Sequence, residues 1–260
     1  MEILRRKLQV SWWGNIRFEK TFTPDLCNLL AASGCIAVTG GLEVASPRLL
    51  ELMEKGVTID QVARVCKGFR DAGILVHAYL MYGFPTQTEQ ETIDSLEIVR
   101  MLFEHGLLHS AHWHQFAMTA HSPVGLNPEK YGVIRVGPEF KGFANNDLYH
   151  EDPDGADHEK YGDGLKKALY NYMHGNGMNL PLQKFFSFSI PKPKVHPLTI
   201  ANAIKTNLPD PIDTPGYTVF WQGESMKSLQ ATPDTAEVLV VLKRGHVKMK
   251  LPALVFGFFQ

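Results

Sequence analysis

The chain has few cysteines and lacks any long apolar run. Its three cysteines, Cys27, Cys35 and Cys66, are odd in number and far apart in the 260-residue sequence. This pattern gives no disulfide framework and indicates a reducing cytoplasm, with the thiols buried in the core. No apolar stretch reaches the ~18 residues of a transmembrane helix, and the basic N-terminus lacks the apolar core of a signal peptide. We therefore expect a cytoplasmic protein with no membrane partner.

The chain also lacks an excess of charge of either sign. With 26 Lys and Arg against 27 Asp and Glu, its formal net charge is −1. A basic excess marks most proteins that bind nucleic acid, so no nucleic-acid partner is expected. Local motifs of Ser-His-Asp catalysis, of phosphate loops and of dinucleotide binding are missing as well. The hydrophobic content of 44% is sufficient for one large domain or two smaller ones.

Residues 10–117 alternate between short β-type runs and amphipathic helical runs. Strand candidates lie at residues 16–19, 35–39, 74–81 and 111–119. Helix candidates begin at Pro24, at Pro47, after Thr58 and after Thr88, the last two with Gln61 and Glu91 at capping-box spacing. Strands separated by helices predict parallel pairing with right-handed crossovers. About four such strands are visible, whereas a closed β/α barrel has eight, and a doubly wound sheet would give the same local pattern.

The composition changes beyond residue 120. Residues 121–163 are rich in Pro, Gly, Asn and Asp and predict a long loop excursion, which a helix over residues 164–176 follows. A proline-rich stretch then surrounds a short helix near residues 198–204. We therefore divide the chain into residues 1–120, 121–190 and 191–260. The last is interpreted as a small mixed α+β region with a strand at 217–222, a helix or strand at 236–243 and an apolar end at 251–259.

Charged side chains follow one of the predicted strands. Glu43 comes after Gly40 and Gly41, which let a ligand approach the backbone, and its carboxylate can accept hydrogen bonds from a ribose or an amino group. Equally, Glu43 can be an exposed cap of the next helix. Lys55 stands at a helix end beside Gly56, where it can pair with a ligand carboxylate or complement the negative helix C-terminus. Both interpretations stay open for each residue.

The run Tyr82-Gly83-Phe84-Pro85 ends another predicted strand in a turn. Main-chain groups are exposed at such a strand end, where they can hydrogen-bond an adenine. The alternative is a simple strand-to-helix turn, because Gly-x-Pro is common in turns.

Two histidines alternate on the last predicted strand of the first region. His112 and His114 therefore point the same way. A His-x-His pair binds metal in zinc-dependent barrel hydrolases, but those sites need further ligands that the sequence does not place. We expect the pair to line a substrate pocket and expect no metal site, with a metal-dependent hydrolase using His112 and His114 kept as an alternative.

In their order along the chain, these motifs resemble the C-terminal half of radical S-adenosylmethionine (radical SAM) domains. The similarity runs from about residue 10 to 190 and is nearest to uncharacterised proteins in which a cobalamin-binding domain precedes the radical SAM domain. The elements that carry it are Arg17-x-Glu19, Thr23-Pro24-x-Leu26, Ser33-Gly34-Cys35, Gly41-Leu42-Glu43, Leu50-x-x-Met53-x-Lys55-Gly56, Ala72-Gly73-Ile74 and Gly83-Phe84-Pro85-Thr86-x-Thr88.

The resemblance implies an α/β fold, an incomplete TIM-type β/α barrel with parallel strands and with SAM bound at its mouth. His112 and His114 would face the substrate. Residues 81–84 would flank the adenine through their backbone. The implied cofactor-binding residues are Arg17, Glu43, Lys55, Tyr79, Met81, Tyr82, Gly83 and Phe84.

The family's Cys-x-x-x-Cys-x-x-Cys motif, which holds a 4Fe-4S cluster, is missing from this sequence. The resemblance implies a parent enzyme that reductively cleaves SAM to a 5′-deoxyadenosyl radical, with cobalamin as a further possible cofactor. We therefore expect a truncated or split chain that is inactive alone. A half barrel leaves a sheet edge and an apolar interior uncovered. Its expected partner is the missing N-terminal half or a second copy, and a non-catalytic binding or scaffold subunit is the alternative function.

Overall fold

The computed structural model describes residues 1–138 and 146–205 and three strands between residues 226 and 252. The chain divides into two compact units, Met1–Thr206 and Asn207–Gln260. All candidate site residues belong to the first unit. The boundary lies further along the chain than the division at residue 190, because Ile200 and Ala203 of the last helix are buried in the core of the first unit.

Helices and strands alternate through the first unit. Its helices are α1 (Glu2–Arg5), α2 (Pro24–Ala32), α3 (Pro47–Leu52), α4 (Ile59–Asp71), α5 (Glu89–Glu104), α6 (Pro123–Leu126), α7 (Gly162–Met173) and α8 (Thr199–Ile204). Its strands are β1 (Trp12–Ile16), β2 (Cys35–Glu43), β3 (Leu75–Tyr82), β4 (Ser110–Gln115), β5 (Ile134–Val136) and β6 (Tyr149–Glu151). Short 3-10 turns lie at Pro128–Tyr131, Glu159–Tyr161 and Leu182–Phe185.

Four parallel strands form the main sheet in the order β1-β2-β3-β4. Each is connected to the next by one or two helices, as in a β/α barrel. Within the described residues the sheet is open, since β1 and β4 each pair on one side only. The prediction of an incomplete barrel of parallel strands is therefore confirmed. The expectation that another chain covers its edges stays a prediction.

The helix starts follow from side chains that accept backbone N–H groups. Thr88 and Glu91 form a reciprocal capping box at the start of α5, as their spacing predicted. The predicted box at Thr58 and Gln61 is only half formed. Thr58 accepts from the Gln61 amide, but the Gln61 side chain donates to the carbonyl of Phe18 at 2.8 Å. Gln61 thus connects α4 to the segment after β1.

Three of the four strands differ from their predicted bounds by more than one residue. The first strand is Trp12–Ile16 rather than 16–19, because Trp12 is fixed beside the end of α2: its amide and its indole Nε1 donate to the Gly34 and Ser33 carbonyls, at 2.9 and 3.0 Å. The second continues through Gly40 and Gly41 to Glu43 instead of ending at residue 39. The fourth ends at Gln115, four residues before the predicted end.

One face of the sheet packs against helices. Along β3 the side chains of Val76, Ala78, Leu80 and Tyr82 are buried, and they share one core with apolar residues of α2, α4, α5 and α7. This alternation is the period of two that a strand imposes on its side chains. The opposite face is open within the described residues, with Trp13 at 64% and Leu75 at 51% exposure.

The cysteines lie in or beside this core. Cys27 and Cys66 are fully buried, and Cys35 is buried at the start of β2, so the expected buried thiols are confirmed. Burial raises the pKa of Cys27 to about 11 and that of Cys66 further. The nucleophilic thiolate is therefore scarce at neutral pH.

Residues 121–205 add shorter elements to the first unit. The predicted loop excursion contains α6 and the antiparallel pair β5–β6. The helices predicted at 164–176 and 198–204 are observed as α7 and α8. Helix α7 contacts β4 and α5 and buries Leu165, Ala168 and Tyr172.

The second unit contains an antiparallel sheet of β7 (Met226–Ala231), β8 (Thr235–Leu242) and β9 (Gly245–Pro252). Residues 236–243, predicted as a helix or strand, thus fall mainly within strand β8. The predicted strand at 217–222 and most of the apolar end at 251–259 lie outside the described residues. Across the ranges that the structure describes, no helix is both long enough and apolar enough to cross a membrane.

Replacing Gly40 should destabilise the sheet. A Cβ at this position would lie 2.5 Å from the ring of Phe18, which is 1% exposed and cannot move freely. We expect Gly40→Ala to lower the free energy of unfolding by about 1–3 kcal/mol, measured by urea denaturation. Gly14→Ala on β1 is the matched control, because its Cβ would meet only Trp12 at 3.7 Å. Equal stability of the two variants would contradict the packing described here.

Candidate functional site

The candidate site lies at the edge of the sheet where the parallel strands end. In β/α barrels this edge carries the active site. Arg17 follows β1, Glu43 ends β2 and Gly83 follows β3. The loop between α3 and α4 brings Lys55 to Glu43.

An ion pair occupies the end of β2. The Lys55 Nζ lies 2.6 Å from Glu43 Oε1, and the two side chains are 23% and 17% exposed. Glu43 has a φ of +59°, a left-handed conformation that a non-glycine residue rarely adopts, and the register of β2 with β3 shifts just before it. The strand end is thus bent so that the carboxylate returns over Gly41. A Cβ at Gly41 would lie 2.3 Å from Glu43 Oε1 and 3.1 Å from Lys55 Nζ, so a larger residue there would displace the ends of these two side chains.

Arg17 supports the loop that carries Lys55. Its Nη2 donates to the Lys55 carbonyl at 2.6 Å, and its Nε lies 3.6 Å from Glu19 Oε1. The guanidinium therefore connects the segment after β1 to the α3–α4 loop. A direct contact between Arg17 and a cofactor, as the resemblance implies, stays a prediction.

The turn after β3 is fixed by hydrogen bonds from its backbone to the side chain of Gln87. Gly83 has a φ of +78°, and the amides of Gly83 and Phe84 both donate to Gln87 Oε1, at 2.8 and 3.1 Å. Because both N–H groups already donate to Gln87, an adenine bound at this turn would have to hydrogen-bond to other backbone groups. The Tyr82 side chain faces the helices, where its ring contacts Trp113 edge-on with centroids 6.3 Å apart. Tyr82 can therefore reach the candidate site only through its backbone.

Phe84 belongs to a second, smaller core. Its ring is 5% exposed and makes edge-on contacts with Phe116 and Tyr131, at centroid distances of 5.2 and 6.1 Å. This core also includes Met118 and, from the 121–161 segment, Val124 and Leu148. The turn is therefore packed between the sheet and that segment.

Four predicted site residues share the open face of the sheet. Tyr79 pairs with His112, and Met81 pairs with His114, on the neighbouring strands β3 and β4. The strand period places all four on the face opposite to the helix-packed residues of β3. The structure thus gathers the predicted substrate-pocket histidines beside Tyr79 and Met81. The separate ion pair, Glu43 and Lys55, lies where β2 ends.

His77 joins this face and was missed by the sequence interpretation. Its Nδ1 lies 2.8 Å from Ser110 Oγ, and its ring meets the Tyr79 ring edge-on at 5.3 Å. Burial, with a smaller contribution from the charge of His112, lowers the pKa of His77. Counting back two residues from Tyr79 would have identified it.

The described residues give no support to a metal centre. Among them, no three His, Cys, Asp or Glu side chains are grouped so that they could hold a metal ion. Within the described ranges, His112 and His114 therefore have no group of further ligands such as the alternative hydrolase requires. Cys27, Cys35 and Cys66, all of them in the described part of the chain, do not form such a group either, so they do not fit an iron–sulfur cluster.

A polar cluster supports the outer side of the turn after β3, and the sequence interpretation did not find it. Arg48 donates to the Thr86 carbonyl at 2.9 Å and to Glu91 Oε2 at 2.7 Å, and Ser46 donates to Glu91 Oε1 at 2.9 Å. Burial would raise the pKa of Glu91, but the bonds from Arg48, the Thr88 amide and Ser46 outweigh it and lower the pKa to about 2. Helix α3 is thereby attached to the start of α5.

Residues 16–99 match the family model of the Radical SAM superfamily. The matched stretch runs from the end of β1 into α5 and includes Arg17, Glu43, Lys55 and the turn at Gly83. The predicted resemblance to radical SAM domains is therefore confirmed for this stretch.

Two curated proteins match stretches of about one hundred residues each. An uncharacterized methyltransferase of Pyrococcus horikoshii is 29% identical over 102 residues, which are 39% of this chain and 22% of that protein. The anaerobic magnesium-protoporphyrin IX monomethyl ester cyclase of Rubrivivax gelatinosus is 32% identical over 97 residues, 37% of this chain and 17% of the cyclase. The match thus spans about a fifth of the length of these relatives.

One solved structure with a related arrangement is the radical S-adenosylmethionine methyltransferase TsrM from Kitasatospora setae, with cobalamin and a 4Fe-4S cluster bound. It is 18% identical, and the comparison covers 65% of this chain and 39% of TsrM with a TM-score of 0.47.

The Arg48–Glu91 contact should make stability depend on acid pH. Because the folded pKa of Glu91 lies below its ordinary value of 4.5, its contribution is complete above pH 4.5 and is lost as the pH falls towards 2. Between pH 6 and pH 3.5 we expect the wild type to lose about 1 kcal/mol more than Glu91→Gln, a value reduced for screening of the half-exposed Arg48. Urea unfolding at both pH values measures it.

Glu54 provides the control for this measurement. It pairs with Lys130 at 2.8 Å, but both side chains are more than half exposed. Glu54→Gln should follow the pH dependence of the wild type. A Glu91→Gln variant that also follows it would show that the contact contributes nothing in solution.

Proposed function

We propose that the strand ends of the first unit form one side of a SAM-binding site in a radical SAM enzyme. The observation that carries this proposal is the Glu43–Lys55 ion pair, partly buried at the mouth of the incomplete barrel and placed over a glycine. The match of residues 16–99 to the Radical SAM superfamily supports it, because that stretch includes both charged residues.

The donor set of the pair fits the methionine end of SAM. This end carries one ammonium and one carboxylate group. Glu43 can accept hydrogen bonds from the ammonium, and Lys55 can donate to the carboxylate. One protein ion pair would then be replaced by two protein–ligand ion pairs, so neither charge of the partly buried site is left without a partner. Arg17 keeps the backbone of Lys55 in place during this exchange through its bond to the Lys55 carbonyl.

The adenosine end would lie further along the sheet edge. We place the adenine beside Tyr79 and the backbone of residues 81–84. Tyr79, at 46% exposure, offers an aromatic surface for stacking. The substrate would lie against His112 and His114 and, by the same placement, against His77.

The radical chemistry needs a component that the described residues do not supply. In radical SAM enzymes a 4Fe-4S cluster donates the electron that cleaves SAM. Since the cysteines here do not fit such a cluster, we propose that the 260 residues alone bind SAM without cleaving it. The named relatives, a methyltransferase and a cyclase, favour methyl transfer or ring closure as the reaction class of the complete enzyme. Cobalamin as a further cofactor is proposed on the resemblance of the sequence to its cobalamin-binding subgroup.

Binding of SAM and of 5′-methylthioadenosine by the 260-residue chain, measured by equilibrium dialysis, tests the site. The second ligand lacks the amino and carboxylate groups of SAM. We expect Lys55→Ala and Glu43→Gln each to weaken SAM binding about tenfold, because each removes a charge-assisted hydrogen bond of roughly 1.5 kcal/mol. Neither variant should weaken the binding of 5′-methylthioadenosine.

Lys67→Ala is the matched control, since Lys67 also forms an ion pair, with Asp71 of the same helix α4. It should bind both ligands as the wild type does. A wild-type chain that binds neither ligand would overturn the proposed function. An equal loss of both ligands in Lys55→Ala would instead contradict the assignment of Lys55 to the methionine end.

A further inference from the structure

A buried polar network joins the turn after β3 to residues 146–161. It consists of Gln87, Thr92 and His158, whose exposed fractions are 0%, 1% and 7%. Uncompensated burial of polar side chains destabilises a fold, so such groups are nearly always hydrogen-bonded. The proposed SAM site uses none of these three side chains directly, yet all three lie immediately behind the turn that the adenine would contact.

Gln87 holds two successive backbone amides. Its Oε1 accepts from Gly83 N and Phe84 N, and its Nε2 donates to Thr92 Oγ1 at 3.0 Å. The side-chain amide can take only one orientation, because both groups facing its oxygen are donors. We call this arrangement the Gln87 clamp. It fixes the direction of the two peptide groups that follow β3.

His158 acts on the same residue from the opposite side. Its Nε2 lies 2.9 Å from the Gln87 carbonyl oxygen, which can only accept, so this nitrogen carries the proton. The amide of Ala156 donates to that carbonyl as well, at 3.1 Å. A Cβ at Gly83 would come within 3.3 Å of His158 Cβ, so the imidazole-bearing segment lies directly against the turn.

The surroundings of His158 keep the imidazole neutral. Its Nδ1 lies 3.5 Å from Thr92 Oγ1, and the Tyr161 ring is 6.3 Å away between centroids. Burial lowers the pKa of His158, and this outweighs the opposing effects of the Gln87 carbonyl and of three carboxylates. Those carboxylates are Asp152, Asp157 and Glu89. Two of them are engaged elsewhere: Asp152 accepts from the Thr86 amide at 2.7 Å, and Glu89 pairs with Lys160 at 2.7 Å.

We propose that Gln87 and His158 are positioning residues for the adenosine end of the SAM site. They fix the Gly83–Phe84 turn from the side that faces away from the ligand. Residues 146–161 thus support the site without contacting the ligand, and we call this support the brace. This inference rests on the proposed function. It adds that the segment after the sheet sets the affinity for the adenosine part of the ligand.

Binding of 5′-methylthioadenosine to the 260-residue chain is the test, because this ligand reports on the adenosine end alone. Gln87→Leu and His158→Ala should each weaken its binding about tenfold. Gln87→Glu retains an acceptor for the two amides, and His158→Gln retains a side-chain N–H donor. Both conservative variants should stay within about threefold of the wild type, a rescue that general destabilisation would not produce.

Gln183→Leu is the matched control. Gln183 likewise accepts from a backbone amide, that of Ile190 at 3.1 Å, and donates to the Phe188 carbonyl at 2.6 Å. Its removal should leave ligand binding unchanged. Hydrogen exchange at Gly83 and Phe84 without ligand gives a second readout, and both amides should lose protection in Gln87→Leu.

The pH profile separates His158 from a purely structural residue. Burial holds the folded-state pKa of His158 below the ordinary value of 6.5. The imidazole is therefore neutral above pH 6.5, and its protonation as the pH falls through that lower pKa destabilises the buried network, although Nε2–H still donates to the Gln87 carbonyl. Wild-type affinity for 5′-methylthioadenosine should fall in that window, and affinity of His158→Gln should not.

The outcomes distinguish the two proposals. Unchanged 5′-methylthioadenosine binding in Gln87→Leu and His158→Ala, together with the expected loss of SAM in Lys55→Ala, would overturn the brace and leave the SAM site standing. A wild-type chain that binds neither ligand would overturn both.

Discussion

The strict alternation of side chains along parallel strands is the constraint on which the rest of this structure depends. At Gly40 and Gly41 it acts on both faces of the sheet at once. Gly40 leaves room for the Phe18 ring in the helix-side core, and Gly41 leaves room for the Glu43–Lys55 pair at the open edge. Two adjacent residues without side chains thus bring the hydrophobic core and the charged site within one residue of each other. A larger residue at either position would displace one or the other.

The local parts of the fold were predictable from the sequence because their causes are local. Thr88 and Glu91 are three residues apart, and their capping box defines the start of α5. The alternation of helical and β-type runs was sufficient to predict parallel strands. The glycines at 40 and 41 were misinterpreted as the end of β2, since a glycine that ends a strand and one that makes room for a neighbour look the same in one dimension. Only the position of Phe18 in space separates the two cases.

The candidate site was predictable in part for the same reason. Glu43 and Lys55 are twelve residues apart in the chain, and the structure brings them into contact. Gln87 and His158 are 71 residues apart, and no periodicity connects a glutamine after one strand with a histidine in a loop rich in Asp and Gly. The same holds for Ser46 and Glu91, which are 45 residues apart. Contacts of this kind depend on how the chain folds back on itself, which local patterns do not record.

The pairing of Glu43 with Lys55 affects which ligands this edge of the sheet can attract. A lone carboxylate at the sheet edge would attract metal ions and amines, and a lone ammonium would attract phosphates and other anions. While Glu43 and Lys55 are paired, each charge is neutralised by its neighbour. A simple ion that displaces one partner gains little binding free energy, because it leaves the other without a counter-charge. A molecule that carries both charges at the right separation replaces both at once. In the proposed site the pair would therefore select for zwitterions, and the bent end of β2 is the part of the backbone that brings Glu43 to Lys55.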